Sequence, residues 1–156
     1  MQNKLLHLNI FIINDKIMYE YKATVKRIID GDSLVLDIDL GFYMFMNETK
    51  IRLYGLDTPE MTSEDPLLRL QAVLATRYLF DNLQVGEKVT IKTVLDKREK
   101  YGRLLATIIT KEGLNINEGL IQNKLAVSYH NLTRDEQIQK HYENQEYLIN
   151  KGFIIL

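Results

Sequence analysis

Apolar and polar residues alternate from 19 to 29 in a stretch rich in strand formers, which predicts a first strand with one buried face. Asp30-Gly31 then signals a turn into a second strand over 33–40. Residues 41–48 read as a long, apolar hairpin connection before a third strand over 49–54. Beyond the polar loop at 57–60, Pro66 opens a helix whose apolar positions Leu67, Leu70, Leu74, Tyr78 and Leu79 recur at helical spacing as far as about Asn82. Two more strands, 88–95 and 104–110, flank a basic turn. The chain closes with a short helix over 115–123 and a longer one over 134–151, with Thr133 as its N-cap and Gly152 as its stop.

Three strands, a helix and two strands match the order of an OB-fold, a small Greek-key barrel often used to bind oligonucleotides. The same order is compatible with other mixed α+β sheets. At 156 residues the chain has room for one domain with its own core, expected over 19–156 behind an amino-terminal arm or extra strand over 1–18. Its 46% hydrophobic and 26% charged fractions are those of a folded globule, which sets disorder and low complexity aside. Residues 5–13 are apolar, yet only Lys4 supplies a positive side chain before them and no small-residue cleavage site follows. That run is about half the length needed to span a bilayer. The run is no convincing export signal and leaves the localisation open, with a cytoplasmic or virus-encoded protein expected over a secreted one; no membrane partner and a monomeric state are expected as well. Met18 is a candidate alternative start.

Charge changes the picture locally rather than globally. The net charge is -1, but residues 88–103 hold six basic side chains (Lys88, Lys92, Lys97, Arg98, Lys100, Arg103) against Asp96 and Glu99. This is either a solvated lysine-rich edge or a modest nucleic-acid patch. With no cysteine and only His7, His130 and His141, thiolate and histidine metal centres are disfavoured, so any metal must rest on oxygen ligands.

Three stretches supply the chemistry: Asp30-Gly31-Asp32-Ser33, then Arg52-Leu53-Tyr54-Gly55-Leu56-Asp57-Thr58-Pro59-Glu60, then Lys100-Tyr101-Gly102-Arg103. Carboxylates hold hard divalent cations, arginine forks grip a phosphoryl group and its growing charge, and a spare carboxylate can orient or deprotonate water. Asp32, Asp57 and the Thr58 carbonyl would serve a Ca²⁺ ion, and Glu60 could stand just outside it. Each piece also has a plain structural reading. Asp-Gly is a common hairpin turn, Glu60 a surface side chain, Arg52 a strand residue facing solvent opposite Ile51 and Leu53, and Arg103 a turn arginine.

In order and wording the three stretches resemble the staphylococcal (thermonuclease-like) nuclease family, over roughly residues 19–154. The resemblance implies the OB-fold barrel with three helices, and a Ca²⁺-dependent endonuclease acting on DNA and RNA, preferring single strands and leaving 3′-phosphate ends. It implies Asp32, Asp57 and Thr58 as metal ligands, and Arg52, Glu60 and Arg103 as catalytic residues. It further implies that Lys100 and Tyr101 contact a terminal phosphate and that Tyr129 stacks near a base. A catalytically inactive nucleic-acid- or protein-binding module on the same scaffold is the alternative. Three departures from the family pattern stand out: Ser33 for the commoner threonine, a longer and more apolar stretch over 41–48, and Lys124 in place of a helix-ending glycine, which leaves the left-handed turn to Asn123.

Overall fold

Ile51 and Leu53 are fully buried while Arg52 between them faces the opposite way, and this period-two pattern organises the molecule. The computed structural model describes residues 18–98 and 101–156. Its elements are β1 (Met18–Asp30), β2 (Ser33–Gly41), β3 (Met44–Leu53), β4 (Leu56–Asp57), α1 (Pro66–Asn82), β5 (Lys88–Arg98), β6 (Leu104–Ile109), α2 (Ile116–Gln122), β7 (Val127–Ser128) and α3 (Arg134–Asn150). Five strands close into a barrel in the order β1-β2-β3-β6-β5. All its pairings are antiparallel except β3 with β6, a parallel contact of three register pairs from Ile51↔Leu104 to Leu53↔Ala106. The α+β barrel with three helices expected of an OB-fold is therefore present. The arm expected over 1–18 falls, up to residue 17, outside the described residues.

The core forms where the inward positions of the strands meet two helices. Val25, Leu34, Leu36, Ile51, Leu53, Ile91 and Ile108 fill the barrel, and Ala75 and Leu79 of α1 with Ile116 and Leu120 of α2 join the same cluster. Removing such side chains from water is the main favourable contribution to folding, about 1.5–3 kcal/mol for a fully buried aliphatic residue. Buried Asn117 secures the short parallel seam. Its amide nitrogen donates to the carbonyls of Tyr54 (3.0 Å) and Ala106 (3.2 Å), and its oxygen accepts from the Ile108 N–H (3.1 Å). The helix limits follow their expected signals. Pro66 stands at the start of α1 behind the Asp65 cap, and α3 opens on a capping box in which Thr133 and Glu136 each bond the other's backbone N–H.

Two local expectations are corrected. Residues 41–48 are not a long connection: β3 begins at Met44, Gly41 pairs with Met44, and only Phe42 and Tyr43 form the turn. Both have positive φ (52° and 60°), the geometry of a tight two-residue hairpin loop normally built from Asn and Gly. Two aromatic residues there hide the turn from the sequence. A bulge at Glu48 (φ 50°), whose N–H donates to Asp37 Oδ1 at 2.8 Å, interrupts the alternation and makes the strand seem to start late. At the end of α2, Lys124 itself takes the left-handed conformation (φ 61°) while Asn123 stays at φ -82°, because Lys124 occupies the position after the cap, where the chain reverses onto Ile121 and Leu120.

Gly31 places the β1–β2 turn directly on α1. A Cβ built there would lie 2.7 Å from Ala75 Cβ, so only glycine allows this approach. Gly31→Ala is expected to cost about 1–3 kcal/mol in thermal or denaturant unfolding. Ala75→Gly should be costly alone yet less so beside Gly31→Ala. Strict additivity in that double-mutant cycle would show that the contact is not what restricts the site.

Candidate active site

Three chain segments converge where β3 ends. The first is the β1–β2 turn, in which Asp30 Oδ1 accepts from the Asp32 N–H (3.1 Å) and the Asp32 carbonyl accepts from the Leu53 N–H (2.8 Å). The second leaves β3 through Gly55, whose φ of 84° allows the reversal into β4. The two-residue β4 pairs with β7, setting Asp57 opposite Val127 and Leu56 opposite Ser128. The third is the start of β6, which presents Arg103.

Arg52 stands at the centre. Its side chain, largely buried, places Nη1 against Asp32 Oδ2 and Nη2 at 3.1 Å from Asp57 Oδ1, so one guanidinium joins two carboxylates. Buried Thr58 donates from Oγ1 to Asp32 Oδ2 (2.8 Å), and Ser33 donates from Oγ to Asp32 Oδ1 (2.9 Å). Arg103 Nη1 in turn donates to Ser33 Oγ (2.7 Å), and its guanidinium carbon lies 5.8 Å from the centre of the Tyr101 ring. Asp32, Arg52, Asp57, Thr58 and Arg103 thus form one connected cluster. The solvent-facing alternatives for Arg52 and Arg103 do not hold.

Other sequence-predicted residues stand apart from it. Glu60 is exposed on the loop after Thr58, and among the described residues its carboxylate joins none of these bonds. Tyr101 is 73% exposed beside Arg103. Tyr129 is tied to the turn before Asp57: its hydroxyl accepts from the Gly55 N–H (3.0 Å) and its own N–H donates to the Gly55 carbonyl (3.2 Å). Its ring also meets His130, which packs edge-on against Tyr54. Lys100 lies outside the described residues.

The sequence reading missed His141. It is buried on α3, 84 residues from Asp57, and its Nε2 lies 3.1 Å from Asp57 Oδ2. Gln71 of α1 donates to the His141 carbonyl (3.2 Å), so two helices brace the contact. Only its place on the inward side of α3 could have pointed to it, and that face is otherwise weakly apolar. Burial pushes the Asp57 carboxyl up, but the His141 hydrogen bond and the Arg52 charge outweigh it and hold the group below its ordinary range.

The donor chemistry suits a hard cation. Asp32 and Asp57 share one guanidinium, which brings their oxygens around a common point. Carboxylate and carbonyl oxygens are what Ca²⁺ and Mg²⁺ take. Among the described residues no three His, Cys, Asp or Glu side chains are gathered for a metal, and Asp32, Asp57 and the Thr58 carbonyl are the ligands expected from the sequence.

Comparison with known proteins bears on this site directly. Residues 50–151, which include Arg52, Asp57, Glu60 and Arg103, match the family model described as staphylococcal nuclease homologue. Over 116 residues the chain is 34% identical to Endonuclease YhcR of Bacillus subtilis (strain 168), covering 70% of this chain and 9% of that protein. Over 104 residues it is 30% identical to Thermonuclease of Staphylococcus intermedius, covering 64% of this chain and 58% of that protein. The chain thus spans a small part of the first relative and little more than half of the second.

His141→Phe removes the donor to Asp57 while keeping a ring in place. It is expected to lower stability by about 1–3 kcal/mol, the cost of leaving a buried acceptor unsatisfied. His141→Gln, which can still donate, should recover part of that loss in the same thermal unfolding experiment. Equal losses in the two variants would mean that ring packing, and not the hydrogen bond, is what matters.

Proposed function

The chain belongs to the staphylococcal nuclease homologue family, and on that premise we propose that it is a nuclease hydrolysing phosphodiester bonds of DNA and RNA by metal-assisted attack of water. The observation that carries this reading is the Arg52 guanidinium lying between Asp32 and Asp57, with Arg103 joined to the same cluster through Ser33. A purely structural ion pair needs one carboxylate; this arrangement assembles two arginines and two carboxylates at one edge of the barrel.

Asp32, Asp57 and the Thr58 carbonyl would hold the cation, which we take to be Ca²⁺. Bound there, it supplies charge neutralisation at the phosphoryl oxygens and a hard site for water. Arg52 and Arg103 donate to the non-bridging oxygens and stabilise the charge they gain as phosphorus becomes five-coordinate. Glu60, exposed on the loop two residues after Thr58, accepts a proton from the attacking water. The new bond joins water oxygen to phosphorus, and the bond from phosphorus to the 5′ oxygen breaks. The departing 5′ oxygen takes up a proton from solvent water, leaving a 3′-phosphate end. Lys100 and Tyr101 hold a terminal phosphate, and Tyr129 offers its ring to a base, a sequence-tolerant contact that suits unpaired strands.

Digestion of single-stranded DNA with Ca²⁺, with Mg²⁺ and with EDTA tests the reading. Native protein is expected to cut with Ca²⁺ and to stop with EDTA. Arg52→Ala and Glu60→Gln are each expected to lose at least about 10²-fold in kcat, the usual scale for removing a transition-state donor or a general base. A native protein that binds the strand yet cuts with neither metal is instead the non-catalytic binding module.

A further inference from the structure

The feature that the proposed reaction leaves unused is the tip of the β2–β3 hairpin. Phe42, Tyr43, Met44 and Phe45 are 96%, 99%, 62% and 53% exposed, and Leu40 leads into them at 37%. Consecutive exposed apolar residues of this size are unusual on a folded surface, where isolated ones need no explanation. The backbone compounds the oddity, because Phe42 and Tyr43 both sit at positive φ (52° and 60°) in a turn that Asn-Gly would occupy without strain. Strain and exposure together present two aromatic rings to the outside.

The tip is remote from the cluster around Arg52. β2 runs nine residues from Ser33, beside that cluster, to Gly41, beside the tip, a span of roughly 26 Å at 3.3 Å per residue. A group at the tip therefore does not touch the bond cleaved at the other end.

We propose that this tip is a lipid-bilayer contact, in which residues 42–45 enter the headgroup region of a membrane surface while the Arg52 cluster faces away from it. Size argues against a protein partner held by the tip alone. At roughly 150–250 Å² for a whole aromatic side chain, and with Met44 and Phe45 only 62% and 53% exposed, the tip offers about 600 Å², short of the about 800 Å² per partner of a stable complex. Shape argues the same way, since a convex finger needs a matching pocket in a rigid partner and none in a fluid interface. The side-chain types agree, because Tyr with Phe and Met suits the boundary between headgroups and acyl chains. A bilayer contact departs from the absence of a membrane partner expected from sequence.

The test is co-sedimentation of the full chain with phosphatidylcholine vesicles, with and without phosphatidylserine, comparing native protein with the Phe42→Asn, Tyr43→Gly double variant. Native protein is expected to pellet with the vesicles, and the double variant to lose at least tenfold in bound fraction. The same variant should unfold at a higher temperature, because it relieves the turn, and should cut a short oligonucleotide at the native rate. The chain has no tryptophan, so Tyr43→Trp supplies a single reporter whose emission should shift to the blue on adding vesicles. Three results overturn the proposal: native protein that stays in the supernatant, vesicle binding that the double variant keeps, or a native dimer that the double variant turns into a monomer. The last would assign the tip to self-association.

Discussion

Asp32 and Asp57 reach the same point from two different loops, and Arg52 is the reason they can. Two carboxylates side by side in a largely buried setting repel each other and resist ionisation. One guanidinium between them makes the pair tolerable, while Thr58 donates to the same Asp32 Oδ2 that Arg52 meets and Ser33 donates to Oδ1. The arrangement is poised electrostatically. Arg52 offsets one of the two negative charges and Arg103, joined through Ser33, stands close by, so hard oxygen donors and phosphate-gripping arginines share one edge of the barrel.

The rest of the fold holds the loops on which this triad depends. The barrel fixes Arg52 by burying Ile51 and Leu53 on either side of it. Gly31 lets the Asp32 turn rest on α1, and Asn117 closes the parallel seam just beyond Leu53. Asp57 is braced from behind by β7, by the Tyr129 hydroxyl on Gly55 and by His141 on α3. Helices that look like packing material in the sequence thus also set the angle of one carboxylate.

Much of this was legible in the sequence, for identifiable reasons. The alternation Ile51-Arg52-Leu53 determined which way Arg52 points, and Pro66, Thr133 and Gly152 marked helix limits because their backbone chemistry is local. What stayed hidden depends on contacts distant in sequence or on local rules being broken. The turn at Phe42-Tyr43 uses residues that turns avoid, and the bulge at Glu48 shifts the alternation by one. β4 and β7 are too short to carry a period. His141 meets Asp57 across 84 positions, a contact that no window along the chain contains.

If Asp32 and Asp57 form one cation site, the cation must take the place that Arg52 holds between them. The most direct measurement is a crystal structure with calcium, located by its anomalous scattering. A peak is expected about 2.3–2.6 Å from oxygens of Asp32, Asp57 and the Thr58 carbonyl, with the Arg52 guanidinium withdrawn from between the carboxylates. Arg52 still joining the two aspartates, with no calcium peak beside them, would contradict it.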